Sequence, residues 1–107
     1  MTKDTESNGG TSVIEVQIKQ IRLDGGTQAR AELRPEVVDE YCSQMQEGVV
    51  FPPVILYYDG KWYWLADGFY RTNGAQKAGK STILSEVRQG TQRDALRYSL
   101  GANSTHG

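Results

Sequence analysis

The stretch that most constrains this chain is Trp62-Tyr63-Trp64-Leu65-Ala66-Asp67-Gly68-Phe69-Tyr70-Arg71. Its first half is aromatic and strand-like. Its second half opens a helix-like run that stops at Gly79. A strand feeding a helix through a glycine aims backbone N–H groups at one point, the helix N-terminus, which attracts anions. Arg71 falls within the first turn, in reach of the same anion. Asp67 is placed to cap the helix, the commonest use of an acid there, and could also hold Arg71 or help bind a metal. Phe69 and Tyr70 are read as packing residues.

The other elements arrange themselves around this corner. Val13 to Ile18 is β-branched and strand-like. Gln20 to Arg30 carries Asp24-Gly25-Gly26, a loop signal. Pro35 suits the first position of a helix, and Val37, Val38, Tyr41 and Met45 recur at helical spacing as far as Gly48. Pro52-Pro53 blocks helix and opens an extended run, Val54 to Tyr58. Asp59-Gly60 then reads as a tight hairpin turn into Lys61 to Leu65. After the helix from about Gly68 to Ala78 come a strand, Ile83 to Val87, and a third helix. Thr91 and Asp94 form a capping box at its start, and it runs toward Gly101. The order β-α-β-β-α-β-α predicts a small mixed α/β domain of the α+β class, not a doubly wound one.

A chain of 107 residues is one domain by length. Residues 1–12 are expected to be a disordered tail and 13–107 the domain, cut from a longer protein. No apolar run approaches the roughly 20 residues of a membrane helix. One cysteine and one histidine exclude an internal disulfide and a Cys/His zinc site, and the plain inference is a cytoplasmic protein. Cys42 is expected to pack in the first helix. The net charge of −1 hides an asymmetry: residues 1–70 carry six Lys/Arg against eleven Asp/Glu, and residues 71–107 carry six against two. A polyanion would approach the C-terminal third.

Two further segments have chemical potential. Gln28 and Arg30, two apart on an extended segment, point the same way. Arg is suited to clamping phosphate, and Gln to reading a base edge or orienting a water. Asn103 and His106 close the third helix as candidates for phosphate, a metal-bound water or a general base. Gly74-Ala75-Gln76-Lys77-Ala78-Gly79-Lys80-Ser81 fits the bare P-loop pattern. Its context is wrong, because it begins inside a helix and leads into a strand.

Taken together, Gln28-Ala29-Arg30, Phe51-Pro52-Pro53-Val54, Trp64 through Arg71, and Arg93-Asp94-Ala95 through Gly101-Ala102-Asn103 resemble the N-terminal domain of the ParB/sulfiredoxin superfamily. Such domains are often labelled ParB-like nuclease domains. In partition proteins they bind CTP with magnesium and act as a DNA-sliding clamp. The resemblance implies that Gln28, Arg30, Gly68, Arg71 and Asn103 contact a nucleotide or phosphate. It also implies Mg with CTP or another nucleotide, a homodimer, and DNA contacted through a downstream helix-turn-helix region, in plasmid partition or transcription regulation. Phe69, Tyr70, Asn73 and Ala102 stand where the family has Glu, Arg, Arg and Glu. Each lost charge-assisted contact is worth about 1.5–3 kcal/mol, so these departures favour binding over catalysis. The sulfiredoxin reaction is excluded, since Tyr70 lies near the place its cysteine needs. The competing expectation is a metal-dependent nuclease or nucleotide phosphohydrolase using Asp67 with Asn103 or His106.

Overall fold

The computed structural model describes residues 11–23 and 33–106, with residues 102–106 described by backbone alone. Five strands and three helices follow one another: β1 (Ser12–Gln17), β2 (Ile21–Arg22), α1 (Pro35–Gln46), β3 (Val54–Tyr58), β4 (Tyr63–Asp67), α2 (Phe69–Lys77), β5 (Thr82–Gln89) and α3 (Gln92–His106). The expected α+β order holds, with β2 as an addition. A two-residue strand carries no periodicity of its own. The expected tail lies outside the described residues up to position 10, and β1 begins one residue earlier than expected.

The sheet order is β1-β5-β3-β4-β2. β3 and β5 pair in parallel, as do β2 and β4, while β1–β5 and β3–β4 are antiparallel. β1 and β2 are therefore opposite edges, yet only a single 3-10 turn, Ile18–Gln20, separates them. A flat sheet would hold those edges about 19 Å apart. Four residues of chain span at most about 14 Å. The sheet must curl, and one cluster records it: Val16 and Ile21 from the two edges pack with Val54, Leu56, Leu65 and Val87 from the middle. The opposite face of β3 and β4 packs Ile55 and Ala66 on Ala95 of α3.

Local chemistry sets the element ends. Pro35 begins α1, as its fixed φ allows. Asp94 accepts from the Thr91 backbone N–H at 2.8 Å, and Thr91 Oγ1 accepts from the Asp94 N–H at 3.4 Å, forming the expected capping box. Gly79 has φ +85° just past α2 and donates to the Gln76 carbonyl, while Lys80 donates to that of Ala75. The hairpin is looser than a two-residue turn, because Tyr58 pairs with Tyr63 across four intervening residues. Asp59 organises that loop by accepting from the Lys61 and Trp62 backbone N–H groups and from the Trp64 indole, each at 2.8 Å.

Those donors, led by the Trp62 N–H and then the Trp64 indole, hold the Asp59 carboxyl below the usual carboxylate range. A depressed folded value means the loop's stabilisation is present above the ordinary carboxylate pKa and fades as pH falls through the folded one. Acid titration followed by tryptophan emission should show a step below about pH 4. Asp59→Ala should abolish it, and a step that survives that change would show that another group drives it.

α1 lies against α2 so closely that a Cβ on Gly74 would sit 2.7 Å from Tyr41 Cβ and 3.3 Å from the Cys42 backbone nitrogen. Cys42 is buried at this seam, as expected for a packing residue. Gly74→Ala gains about 1 kcal/mol of helix propensity, but the neighbour at 3.3 Å is backbone and cannot swing aside. We expect a net loss of about 1–2 kcal/mol on chemical denaturation; a stabilised variant would refute the close seam.

Candidate functional site

The strand-to-helix corner forms where expected, but its parts are used differently. The N-cap of α2 is Gly68, with φ +105°, and no side chain caps the helix. Asp67 is therefore not the cap. It ends β4 one residue too early, and the left-handed turn at Gly68 separates it from the helix start. Its carboxylate instead pairs with Arg71 Nη2 at 3.5 Å. The first N–H groups of any α-helix lack intrahelical acceptors, so this uncapped start keeps its attraction for anions.

Only glycine fits at position 68. A Cβ there would meet Val54 Cγ1 at 2.5 Å and Val54 Cβ at 2.8 Å, and would come within 3.1 Å of Arg71 Nη2. That third contact shows Arg71 folded back over the glycine. Its Nη1 donates to the Pro52 carbonyl at 3.1 Å and weakly to that of Pro53 at 3.5 Å. The arginine side chain is 18% exposed. It ties the extended Pro52-Pro53 segment to the helix start. A guanidinium has five N–H donors, so these contacts leave it capacity for a ligand.

The neighbours of Arg71 serve the fold. Phe69 packs against the core cluster. The Tyr70 hydroxyl accepts from the Arg34 backbone N–H at 2.9 Å, and its ring stacks on Tyr41, which also stacks on Phe51. Buried Thr72 donates to the Gly68 carbonyl at 2.9 Å, and Asn73 Nδ2 to that of Phe69 at 2.8 Å.

Beside the corner is a cavity of about 250 Å³ lined by Phe51, Pro52, Arg71, Ala75, Lys80 and Ile83, among others. Glu15 is the acid in its wall. Lys80 was missed as a site residue. Its signal was present in Gly79-Lys80-Ser81, which reads as a failed P-loop tail. The helix end at Gly79 turns the chain so that Lys80 shares this cavity with Arg71.

Gln28 and Arg30 lie outside the described residues. Asn103 and His106 lie in the last turns of α3, where only backbone is described. Gly68 and Arg71, with the candidate acid Asp67 paired to Arg71, are thus the expected site residues brought together among the described residues. Among the described residues, no three His, Cys, Asp or Glu side chains gather as a metal centre would require. No described helix is long and apolar enough to cross a membrane.

No curated protein matches the chain. Among solved structures, it is similar to the C-terminally truncated chromosome-partitioning protein ParB from Caulobacter crescentus complexed with CTP-γ-S. The TM-score is 0.72 at 22% identity, over 88% of this chain and 53% of that one. The same ParB complexed to the centromeric parS site gives 0.66 at 20% identity, over 84% and 46%. Sulfiredoxin from Arabidopsis thaliana gives 0.66 at 24%, over 83% and 97%. This chain therefore spans about half the length of the ParB structures, and identities this low speak for the fold alone. The ParB N-terminal domain family matches residues 2–104. With nearly the whole chain matched and the curled sheet shared, the protein belongs to the ParB N-terminal domain family.

Proposed function

We propose that the Gly68–Arg71 corner binds the phosphates of a nucleotide, CTP first among candidates, and that the domain acts as a nucleotide-dependent binding module in a DNA-associated partition or transcription-regulatory protein. The observation that carries this reading is the uncapped start of α2 beneath a folded-back Arg71. Three features support it: the adjoining cavity, Lys80 in its wall, and the CTP-γ-S complex of the C. crescentus relative. Gln28, Arg30 and Asn103 complete the proposed contact set.

The side chains of Phe69, Tyr70 and Asn73 are engaged in packing and backbone bonds. They add no charge to the corner, so binding without efficient turnover is the expected behaviour. A magnesium ion takes most of its ligands from water and phosphate oxygens. Asp67 is the carboxylate beside the corner and is shared with Arg71. It suits an ion that arrives with the nucleotide better than a resident one.

The test is calorimetric titration with CTP, UTP, ATP and GTP, each with and without magnesium. We expect saturable binding of Mg-CTP and weaker binding of the others. Absence of heat with all four would overturn the reading. Light scattering with and without Mg-CTP would test the proposed homodimer in the same samples.

A further inference from the structure

Tyr70 does more than pack. It lies one residue before Arg71 in the first turn of α2. Its hydroxyl accepts from the Arg34 backbone N–H at 2.9 Å, across 36 residues of sequence. Its ring stacks on Tyr41 with 15° between the planes, which holds that hydroxyl in place. The start of α1 is thereby fixed one tyrosine length from the start of α2. Arg34 is the N-cap residue of α1, and its side chain makes no cap hydrogen bond. An arginine side chain is about as long as that of a tyrosine. From this position the guanidinium can fold back over the ring to the Gly68–Arg71 corner.

The two arginines are engaged differently. Arg71 is 18% exposed and already holds the Pro52 and Pro53 carbonyls and the Asp67 carboxylate. Arg34 is 69% exposed, and its side-chain partner is Glu36, two residues on, at 3.2 Å. An exposed ion pair of this kind is weak. A phosphate, with more charge and more acceptor oxygens, can take the guanidinium from the carboxylate. The other described charges on this helix pair near the corner are Lys77 and Asp39, which pair with each other further along α2 and α1.

We propose that Arg34 is a second phosphate contact, and that it makes the site prefer a nucleoside triphosphate to a monophosphate. The inference rests on the corner receiving phosphate. A single phosphate seated at the start of α2 fills the contacts that Arg71 offers. A triphosphate extends beyond them, and the phosphate leaving the corner meets Arg34, which exchanges Glu36 for it. Tyr70 is a positioning residue: it touches Arg34 and sets where that arginine starts from.

The test is calorimetric titration with Mg-CTP and with CMP. Wild-type protein should bind Mg-CTP more tightly than CMP. Arg34→Ala, at an exposed position, should weaken Mg-CTP binding about tenfold. It should leave CMP binding and the denaturation midpoint unchanged. Glu36→Gln should strengthen Mg-CTP binding, because no carboxylate then competes for the guanidinium. Added to Arg34→Ala, the same change should have a smaller effect, and that coupling decides the matter if CMP binds too weakly to measure. Tyr70→Phe should weaken Mg-CTP binding and leave CMP binding as it was. Mg-CTP binding that Arg34→Ala leaves intact, or equal losses for both nucleotides, would overturn the role of Arg34 and spare the corner. No binding of either nucleotide by wild-type protein would remove the corner reading, and the role of Arg34 with it.

Discussion

Gly68→Ala is expected to cost about 3 kcal/mol or more of folding stability. Two costs combine. At φ +105° the backbone lies in a region where a Cβ costs about 1–2 kcal/mol. The new methyl would also overlap Val54, 2.5 and 2.8 Å away. Val54 is fully buried, and overpacking of this kind costs about 1–3 kcal/mol. A domain of ordinary stability has only about 5–15 kcal/mol to lose. Gly60→Ala is the internal control: Gly60 has φ +102°, but no atom lies within 4 Å of its added Cβ. Denaturant titration of both variants separates strain from overlap. Equal losses would mean that the contact with Val54 is not the reason for glycine at position 68.

Arg71→Ala should weaken Mg-CTP binding by about 10- to 100-fold, the equivalent of one charge-assisted contact. It should also destabilise the fold, because the Pro52 carbonyl loses its donor. The ion pair to Asp67 contributes little to that loss. Its carboxylate is half exposed, at 51%, and surface pairs are worth about 0–1 kcal/mol. Arg71→Lys should not restore binding, since an ammonium cannot bridge two carbonyls and a carboxylate as a planar fork does. Asp67→Asn separates the readings of this corner. If the site holds phosphate, removing the acid leaves affinity for the nucleotide without magnesium unchanged or raised. If Asp67 holds a catalytic metal, the same change abolishes activity. Nucleotide affinity measured by calorimetry, together with the rate of nucleotide hydrolysis, across the three variants decides between them.

What could be read from the chain was what short-range chemistry encodes. Pro35 at a helix start, the Thr91–Asp94 box and Gly79 at a helix end are all local signals, and all appear in the structure. The strand-glycine-helix corner was legible for the same reason. What was not legible depends on partners far along the chain. β2 exists only because β4 is there to pair with it. Asp67 looked like a cap, yet the left-handed turn at Gly68 gives that position to the glycine. Arg71 was placed within reach of the helix start, but the Pro52 and Pro53 carbonyls that hold it lie 19 and 18 residues earlier. The strand order that puts β1 and β2 at opposite edges is likewise in no local pattern.

The central claim is that the start of α2 receives a nucleotide's phosphates. Amide chemical-shift mapping of the isotope-labelled protein during titration with Mg-CTP tests it most directly. The account predicts that the largest shifts fall on the amides of Gly68, Phe69, Tyr70 and Arg71, and that they disappear in Arg71→Ala. Shifts centred on Trp62 and Trp64 instead, or no saturable shifts anywhere, would contradict it.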